Sequence, residues 1–476
     1  MLVELFIWPL FLLFVYVFYV FLSAVLLYTF IRPNKQRDTY ETDPQIFYGS
    51  SEGADKALII ENRPFSLDAR INLIENAVSS VKVAYFAITD GIVSDVFYGL
   101  ILEAADRGVD VQILFDGMGQ NLIGEKESVY WALVQHPRIR LRFYEKNHKL
   151  TPWRWNNMMH DKILIVDDRY AMTGGRNLED RFHLVDYDGG TVEDRDVMIV
   201  RKKGEPLYCS SISQFILYFN VLWDHPFSRP VNKHVPHKYK AAARQKHTET
   251  AERLSELKAS GQFGFHQSID WESQGHPANR ITLVSNPITR MKKYPLVLTV
   301  LQSLFAQTDQ LILAQSPFIV PGKEMQKYFD FSSTRAEVHY LTNSLATSPN
   351  VFALSGQMKY TDFLKTKADQ IYEYQGEGSI HGKAFVFDDR LSALGSFNLD
   401  PRSAFLSTEN LVIIDSLELA TELKANIQSI ISESLPTIPN GPVLAPSILE
   451  VKDVPLQKRR WTAFTYAMVY LFEDIL

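Results

Sequence analysis

The stretch HDKILIVDDRYAMTGGRN runs from His160 to Asn177, and a second stretch, HGKAFVFDDRLSALGSFN, runs from His381 to Asn398. Laid on one another they agree at a His, a Lys two residues on, an Asp five further, a Gly seven further and an Asn three further. Side chains alternate along a strand, so His160 and Lys162 emerge on one face, as do His381 and Lys383. The residues that follow, Ile163 to Val166 and Ala384 to Phe387, are apolar without interruption, which predicts a central strand covered on both sides. Each copy thus brings an imidazole, an ammonium and a carboxamide to one end of a buried strand. Two copies facing each other suit a phosphodiester. Lys162, Lys383, Asn177 and Asn398 would hold its oxygens, one histidine would attack phosphorus and the other would protonate the leaving oxygen.

The 476 residues suffice for two ordinary domains or one fused pair. The order helix, strand, helix, strand, motif strand occurs before each copy, which predicts an α/β protein made of two duplicated α/β/α sandwich halves. A pseudo-twofold pairing would bring both motifs to one cleft. In the first half, Ser66 is read as capping a helix whose apolar face is Leu67, Ile71, Ile74 and Val78. A strand from Val81 to Ile88, a helix ending at Gly108 and a strand from Val109 to Phe115 follow. The expected division is an anchor over 1–32, a tether over 33–55, a first half over 56–205, a helical connection over 206–278, a second half over 279–440 and an amphipathic tail over 441–476.

From Leu5 to Ile31 no residue is charged. As a helix that run is about 40 Å long, enough to cross a hydrocarbon core of about 30 Å. A cleaved signal peptide would need a basic start, and the only charge ahead of the run is Glu4. Arg32, Lys35 and Arg37 follow it, which predicts a single span in the cell membrane with the catalytic part in the cytoplasm. A net charge of -6 weighs against a nucleic-acid partner. The single cysteine, Cys209, excludes an internal disulfide framework.

Other segments admit two readings. Lys146, His148, Lys149, Trp153, Arg154 and Trp155, just ahead of His160, suit an anionic membrane interface or a surface loop packed on the domain. The basic run from Lys233 to Lys258 reads as a solvated helix face or linker, with headgroup attraction as the alternative. Its histidines have no acidic or thiolate partners for a metal. Trp461 to Leu476 reads as an interfacial amphipathic helix or a final core helix.

The doubled H-x-K-x4-D-x6-G-[GS]-x-N pattern resembles the phospholipase D superfamily, and the run GSFNLDPRS from Gly395 to Ser403, with the membrane-anchored layout, resembles bacterial cardiolipin synthases more narrowly. The resemblance covers the chain from about Ala57 onward. It implies two-step transfer, with His160 as nucleophile and His381 as acid and then base, and with Lys162, Lys383, Asn177, Asn398 and Ser396 holding the phosphate without metal or cofactor. Gly175 stands where the second copy has Ser396. Asp167 and Asp388 complete the catalytic sets and are expected to buttress them from the ends of the apolar runs. Asp196 and Glu409 are expected to accept a hydrogen bond from Nδ1 of the histidine in their own half, leaving Nε2 free. The implied partners are a lipid bilayer and phospholipids: phosphatidylglycerol, with phosphatidylethanolamine as a further donor. A hydrolase releasing phosphatidic acid and a tethered nuclease could run on the same residues. A non-catalytic scaffold would not need them all.

Overall fold

The computed structural model describes residues 2–34, 43–120, 122, 127–146, 149–333, 335–445 and 450–476. Two mixed sheets carry the fold, and their strand orders repeat. The first runs His276–Pro277, Asp55–Ile60, Asp196–Arg201, Tyr170–Gly174, Lys162–Val166, Ser80–Tyr85, Asp110–Asp116, Ile139–Tyr144, Ser228–Pro230. The second runs Arg280–Ser285, Asn410–Asp415, Leu391–Gly395, Ala384–Phe387, Leu311–Gln315, Glu337–Asn343, Gln370–Tyr374, Ser434–Pro436. Apart from the extra edge strand at His276, each strand of one sheet has a counterpart at the same place in the other. Within each sheet the parallel pairs are those joined by crossovers, Ser80–Tyr85 with Asp110–Asp116 and Ile139–Tyr144, and likewise Leu311–Gln315 with Glu337–Asn343 and Gln370–Tyr374; the crossover between Leu311–Gln315 and Glu337–Asn343 carries only the single turn Met325–Lys327 among the described residues. The duplicated α/β sandwich expected from the motif repeat is present, and both motif strands are central and buried throughout.

The sheets meet through a shared apolar layer. Ile163, Ile165, Val197 and Ile199 of the first half join Val386, Val412 and Ile414 of the second, with Phe215, Phe219 and Leu222 from the helix Ile212–Asp224 and Leu419, Leu423 and Ile427 from the helix Leu417–Ile431. Each such side chain, fully buried, contributes about 1.5–3 kcal/mol relative to exposure. One buried polar node crosses this layer. Asp161 accepts from Tyr218 Oη (3.0 Å) of its own half and from Thr408 Oγ1 (2.5 Å) and Asn410 Nδ2 (2.7 Å) of the other.

Several local expectations need correction. The helix Arg63–Glu75 is capped by Asn62, whose Oδ1 accepts from Phe65 N, while Ser66 lies a turn inside and donates to Arg63 O. Val78 lies beyond that helix and is 83% exposed. Within the stretch read as a tether, Pro44–Phe47 forms a short helix, Phe47 enters the second half's core, and Gly49 N donates to Asp415. Residues 35–42, with Lys35 and Arg37, lie outside the described residues, as does His148. The basic connection is a helix, His237–Ala259, that buries Leu254 and Leu257 against the first half.

Ile7–Phe30 is long and apolar enough to cross a membrane and is largely exposed on the protein. From its middle onward it docks on the tryptophan segment and the residues just ahead of it. Tyr16, Tyr19 and Tyr28 donate through their hydroxyls to the carbonyls of Lys149, Leu150 and Trp153. Phe21–Leu26 is wound as a π-helix, whose looser ladder leaves carbonyls open, and Ala24 O accepts from Asn156 Nδ2 at 2.6 Å. The tryptophan segment therefore packs against protein, on the apolar helix itself.

Asp161→Ala should leave a buried phenol, hydroxyl and carboxamide unpaired and cost about 2–4 kcal/mol. The check is thermal unfolding of the purified chain, where an unchanged midpoint would remove Asp161 from the junction.

Candidate active site

The two motif strands end at a common cavity because the halves pair backbone to backbone there. Thr408 N donates to Met158 O (2.8 Å) and His160 N to Thr408 O (3.1 Å). In the pseudosymmetric place Ser379–Ile380 pairs with Val192–Glu193, and His381 N donates to Glu193 O (2.6 Å). Each histidine is thereby laid beside the residue that follows its pairing partner in the other half: Glu409 after Thr408, and Asp194 after Glu193.

The acids are consequently crossed. His160 Nδ1 lies 2.9–3.0 Å from the Glu409 carboxylate, and His381 Nδ1 lies 2.6 Å from Asp194 Oδ2. Glu409 has the expected chemistry but serves the opposite half. Asp196 does not orient a histidine: it is buried in an ion cluster with Arg70 (2.9 Å) and Arg176 (3.2 Å). The strand register explains the error. Gly174 is paired with Asp196 and Gly395 with Leu411, so Glu409 corresponds to Asp194, two residues ahead of Asp196. Asp194 lies before the strand begins, where the chain faces the cavity.

Ser396 is also reassigned. It is fully buried, and its Oγ donates to Glu409 Oε2 (2.5 Å), while Ser403 Oγ donates to Oε1 (2.8 Å). The serine therefore anchors a carboxylate. At the corresponding Gly175 a Cβ would sit 2.4–2.7 Å from the Asp194 carboxyl, so the shorter acid comes closer and leaves no room for a side chain. Asp167 and Asp388 sit at the opposite end of the motif strands, roughly 16 Å along from the lysines. Asp167 accepts from the backbone N–H groups of Val78, Ser79 and Ser80, and Asp388 from those of Asp309, Gln310 and Leu311. Both occupy left-handed hairpin positions, at φ 53° and 50°, which Asp tolerates better than most residues. They buttress the strand and do not reach the cavity.

The remaining motif residues do converge. His160, His381, Asn177 and Asn398 line a cavity of about 900 Å³, and the Oδ1 of each asparagine is buried without a partner among the described residues. Lys162 Nζ donates to His160 O (2.6 Å), and Lys383 Nζ lies 2.5 Å from His381 O and 2.7–3.0 Å from the His381 ring nitrogens. Phe86 and Phe182 set ring edges against His160 and His381, at centroid distances of 5.0 and 5.3 Å. Burial lowers Lys162 to about 7 and Lys383 to about 8. Burial, followed by the nearby lysines, holds His160 well below its ordinary value. Burial and Lys383 take His381 down to about 3 against the pull of Asp194. Both imidazoles are therefore neutral near pH 7. Burial opposes ionisation of Asp194, but Lys383 and His381 outweigh it and hold its carboxyl well below the usual range. Burial pushes Glu409 up to about 7, against Lys162, Ser396 and Ser403.

The model of the cardiolipin synthase, phospholipase D-like domain matches residues 71–203 and 301–431, more than half of the chain and one segment per half. The chain belongs to this family. A Helicobacter pylori protein of unassigned function is 26% identical over 78% of each chain. Cardiolipin synthase C of Escherichia coli K12 is 25% identical over 75% of this chain and 81% of that protein. Among solved structures, phosphatidylserine synthase of Haemophilus influenzae superposes with a TM-score of 0.60 at 14% identity, over 88% of this chain and 95% of that one, a likeness of fold.

Sequence reasoning missed further residues of this family member's site. Arg195 Nη1 donates to Gln315 Oε1 (2.5 Å) across the halves while its other nitrogens hold Glu61, and it passes over Gly382, the counterpart of Asp161. Arg402 lines the cavity, donates from its backbone N to Leu476 O (2.6 Å) and reaches Asn156 and Ile475 with its guanidinium. Arg402 lay inside the quoted run GSFNLDPRS, but only the fold shows what it faces.

Asp194→Asn should cut turnover by about 10²–10⁴-fold by permitting the wrong tautomer of His381, at an unchanged unfolding temperature. Asp196→Asn should instead lower the unfolding temperature. The reverse pattern would sink the crossed assignment. The pH dependence of kcat/KM should be a narrow bell. As pH falls through about 7, Glu409 takes a proton and stops accepting from His160; as pH rises through about 7–8, Lys162 and Lys383 lose theirs. A flat profile from pH 6 to 9, on the order of one unit either side of these values, would contradict it.

Proposed function

We propose that this protein is a membrane-bound phosphatidyltransferase that makes cardiolipin from phosphatidylglycerol and a second phospholipid. The observation that carries the reading is the meeting of His160 and Asn177 with His381 and Asn398 in one cavity whose walls are largely apolar, as a lipid needs and a nucleic acid does not. The family membership and the named relatives support it.

In this reading His160 Nε2 attacks the phosphatidyl phosphorus. The bond from phosphorus to the leaving alcohol breaks, and that oxygen takes a proton from His381, leaving a phosphohistidine. His381 then removes the proton of an incoming glycerol hydroxyl, whose oxygen displaces His160 and forms the new diester. Lys162, Lys383, Asn177 and Asn398 hold the phosphoryl oxygens through both steps. Neutral His160 is the form that can attack. Burial and, after it, the repulsion of Lys383 depress His381; an anionic phosphate beside Lys383 offsets the second of these, so substrate binding itself favours the protonated acid. Ile7–Phe30 would cross the membrane, with Arg32 and the catalytic halves on the cytoplasmic side.

The test is mass spectrometry of lipids after incubating the full chain in bilayers of phosphatidylglycerol, with and without phosphatidylethanolamine, beside His160→Ala. Cardiolipin should accumulate with the intact protein and fall by about 10³-fold or more in the variant. Phosphatidic acid in its place would mean that water is the acceptor, and no lipid product at all would end the reading.

A further inference from the structure

The helix Leu456–Phe472 is built inside out. Its buried side is Thr462, Thr465 and Val469, set against the helix Val351–Lys359, where Ser355 Oγ and Thr465 Oγ1 are 2.5 Å apart. Its outer side carries Trp461, Phe464, Tyr466, Met468, Tyr470 and Leu471, which are 37–64% exposed. A helix on a water-soluble core turns its large apolar residues inward. Small and hydroxyl residues toward a neighbouring helix, with aromatic and aliphatic residues outward, is how helices pack in lipid, where the surroundings are as apolar as the side chains. From Trp461 to Phe472 there is no charge, and Lys458, Arg459 and Arg460 stand immediately ahead. Basic residues followed by tryptophan suit the boundary of headgroups and acyl chains.

A second observation bears on what covers this surface. The apolar helix Ile7–Phe30 is also exposed, and its π-wound turn touches Leu456–Phe472. Phe21 and Val25 from the one, with Phe464, Met468 and Leu471 from the other, line the same cavity as His160 and His381. The exposed face of Leu456–Phe472 thus continues the surface of a helix fit to span a bilayer.

We propose that Leu456–Phe472 lies in the bilayer that Ile7–Phe30 crosses, and that the seam between the two helices is the lateral opening through which acyl chains reach the paired histidines. The opening rests on the lipid-transfer reading above; the embedding does not.

The experiment uses the full chain in lipid nanodiscs containing phosphatidylglycerol, in a Cys209→Ser background that removes the single native cysteine. An environment-sensitive fluorophore is attached to Phe464→Cys, Tyr470→Cys and, as a site at the strand end opposite the cavity, Val78→Cys. Nitroxide-bearing lipids should quench the first two at least about threefold more than the third, with aqueous iodide giving the opposite order. Iodide reaching 464 and 470 as freely as 78 would overturn the embedding. So would protection from both quenchers together with crosslinking between chains, since a second copy would then cover the helix. For the opening, Met468→Trp should slow turnover of long-chain phosphatidylglycerol about tenfold while costing a dihexanoyl analogue less than about twofold. Equal losses would overturn the opening. Lipid quenching without any turnover by the unmodified chain would remove the transfer reading and the opening with it, and leave the embedding standing.

Discussion

Two short backbone pairings between the halves, residues 158–160 with 408 and residues 379–381 with 191–193, govern the geometry of everything around the cavity. They are few hydrogen bonds, but they lie where the motif strands end, and they set which acid stands beside which imidazole. The apolar layer behind them supplies adhesion, while these pairings supply register. A one-residue slip in either would carry Glu409 or Asp194 to the other side of its strand and away from the ring it holds.

The electrostatics follow from that register. Two lysines, two histidines and two acids are buried together, and burial is the largest influence on each. Charges kept from water are costly unless matched, and here the matching is unequal. Asp194 stands against Lys383 and His381 and stays ionised. Glu409 is held by two serine hydroxyls and Lys162, and sits near its protonation midpoint. The pseudosymmetry of the fold does not extend to the proton inventory of its centre.

The doubled motif made the duplication, the buried central strands and the convergence of His160, Lys162, Asn177, His381, Lys383 and Asn398 legible in the sequence, because spacing along a strand translates directly into direction. What it hid was contact between distant segments. Asp194 and Asp196 are both acids on either side of Arg195, and only the pairing of Gly174 with Asp196 tells them apart. Ser396 reads like a phosphate ligand until Glu409, 13 residues on, is found to take its hydroxyl. Asp167 belongs to the motif for the turn it makes and the amides it caps, a structural demand that no side-chain inventory separates from a chemical one.

The fit between Gly175 and Asp194, and between Ser396 and Glu409, has a consequence for how such a chain can change. A lengthened acid in the first half would collide with the backbone it now rests on, and a shortened one in the second would abandon its serines. Because each acid acts on the other half's histidine, a lesion in one repeat is felt as a defect in the other. The two repeats share one fold, yet each is fitted in its acid and in the residue beneath it to its own place, so that one could not stand in for its sibling without disturbing the pair.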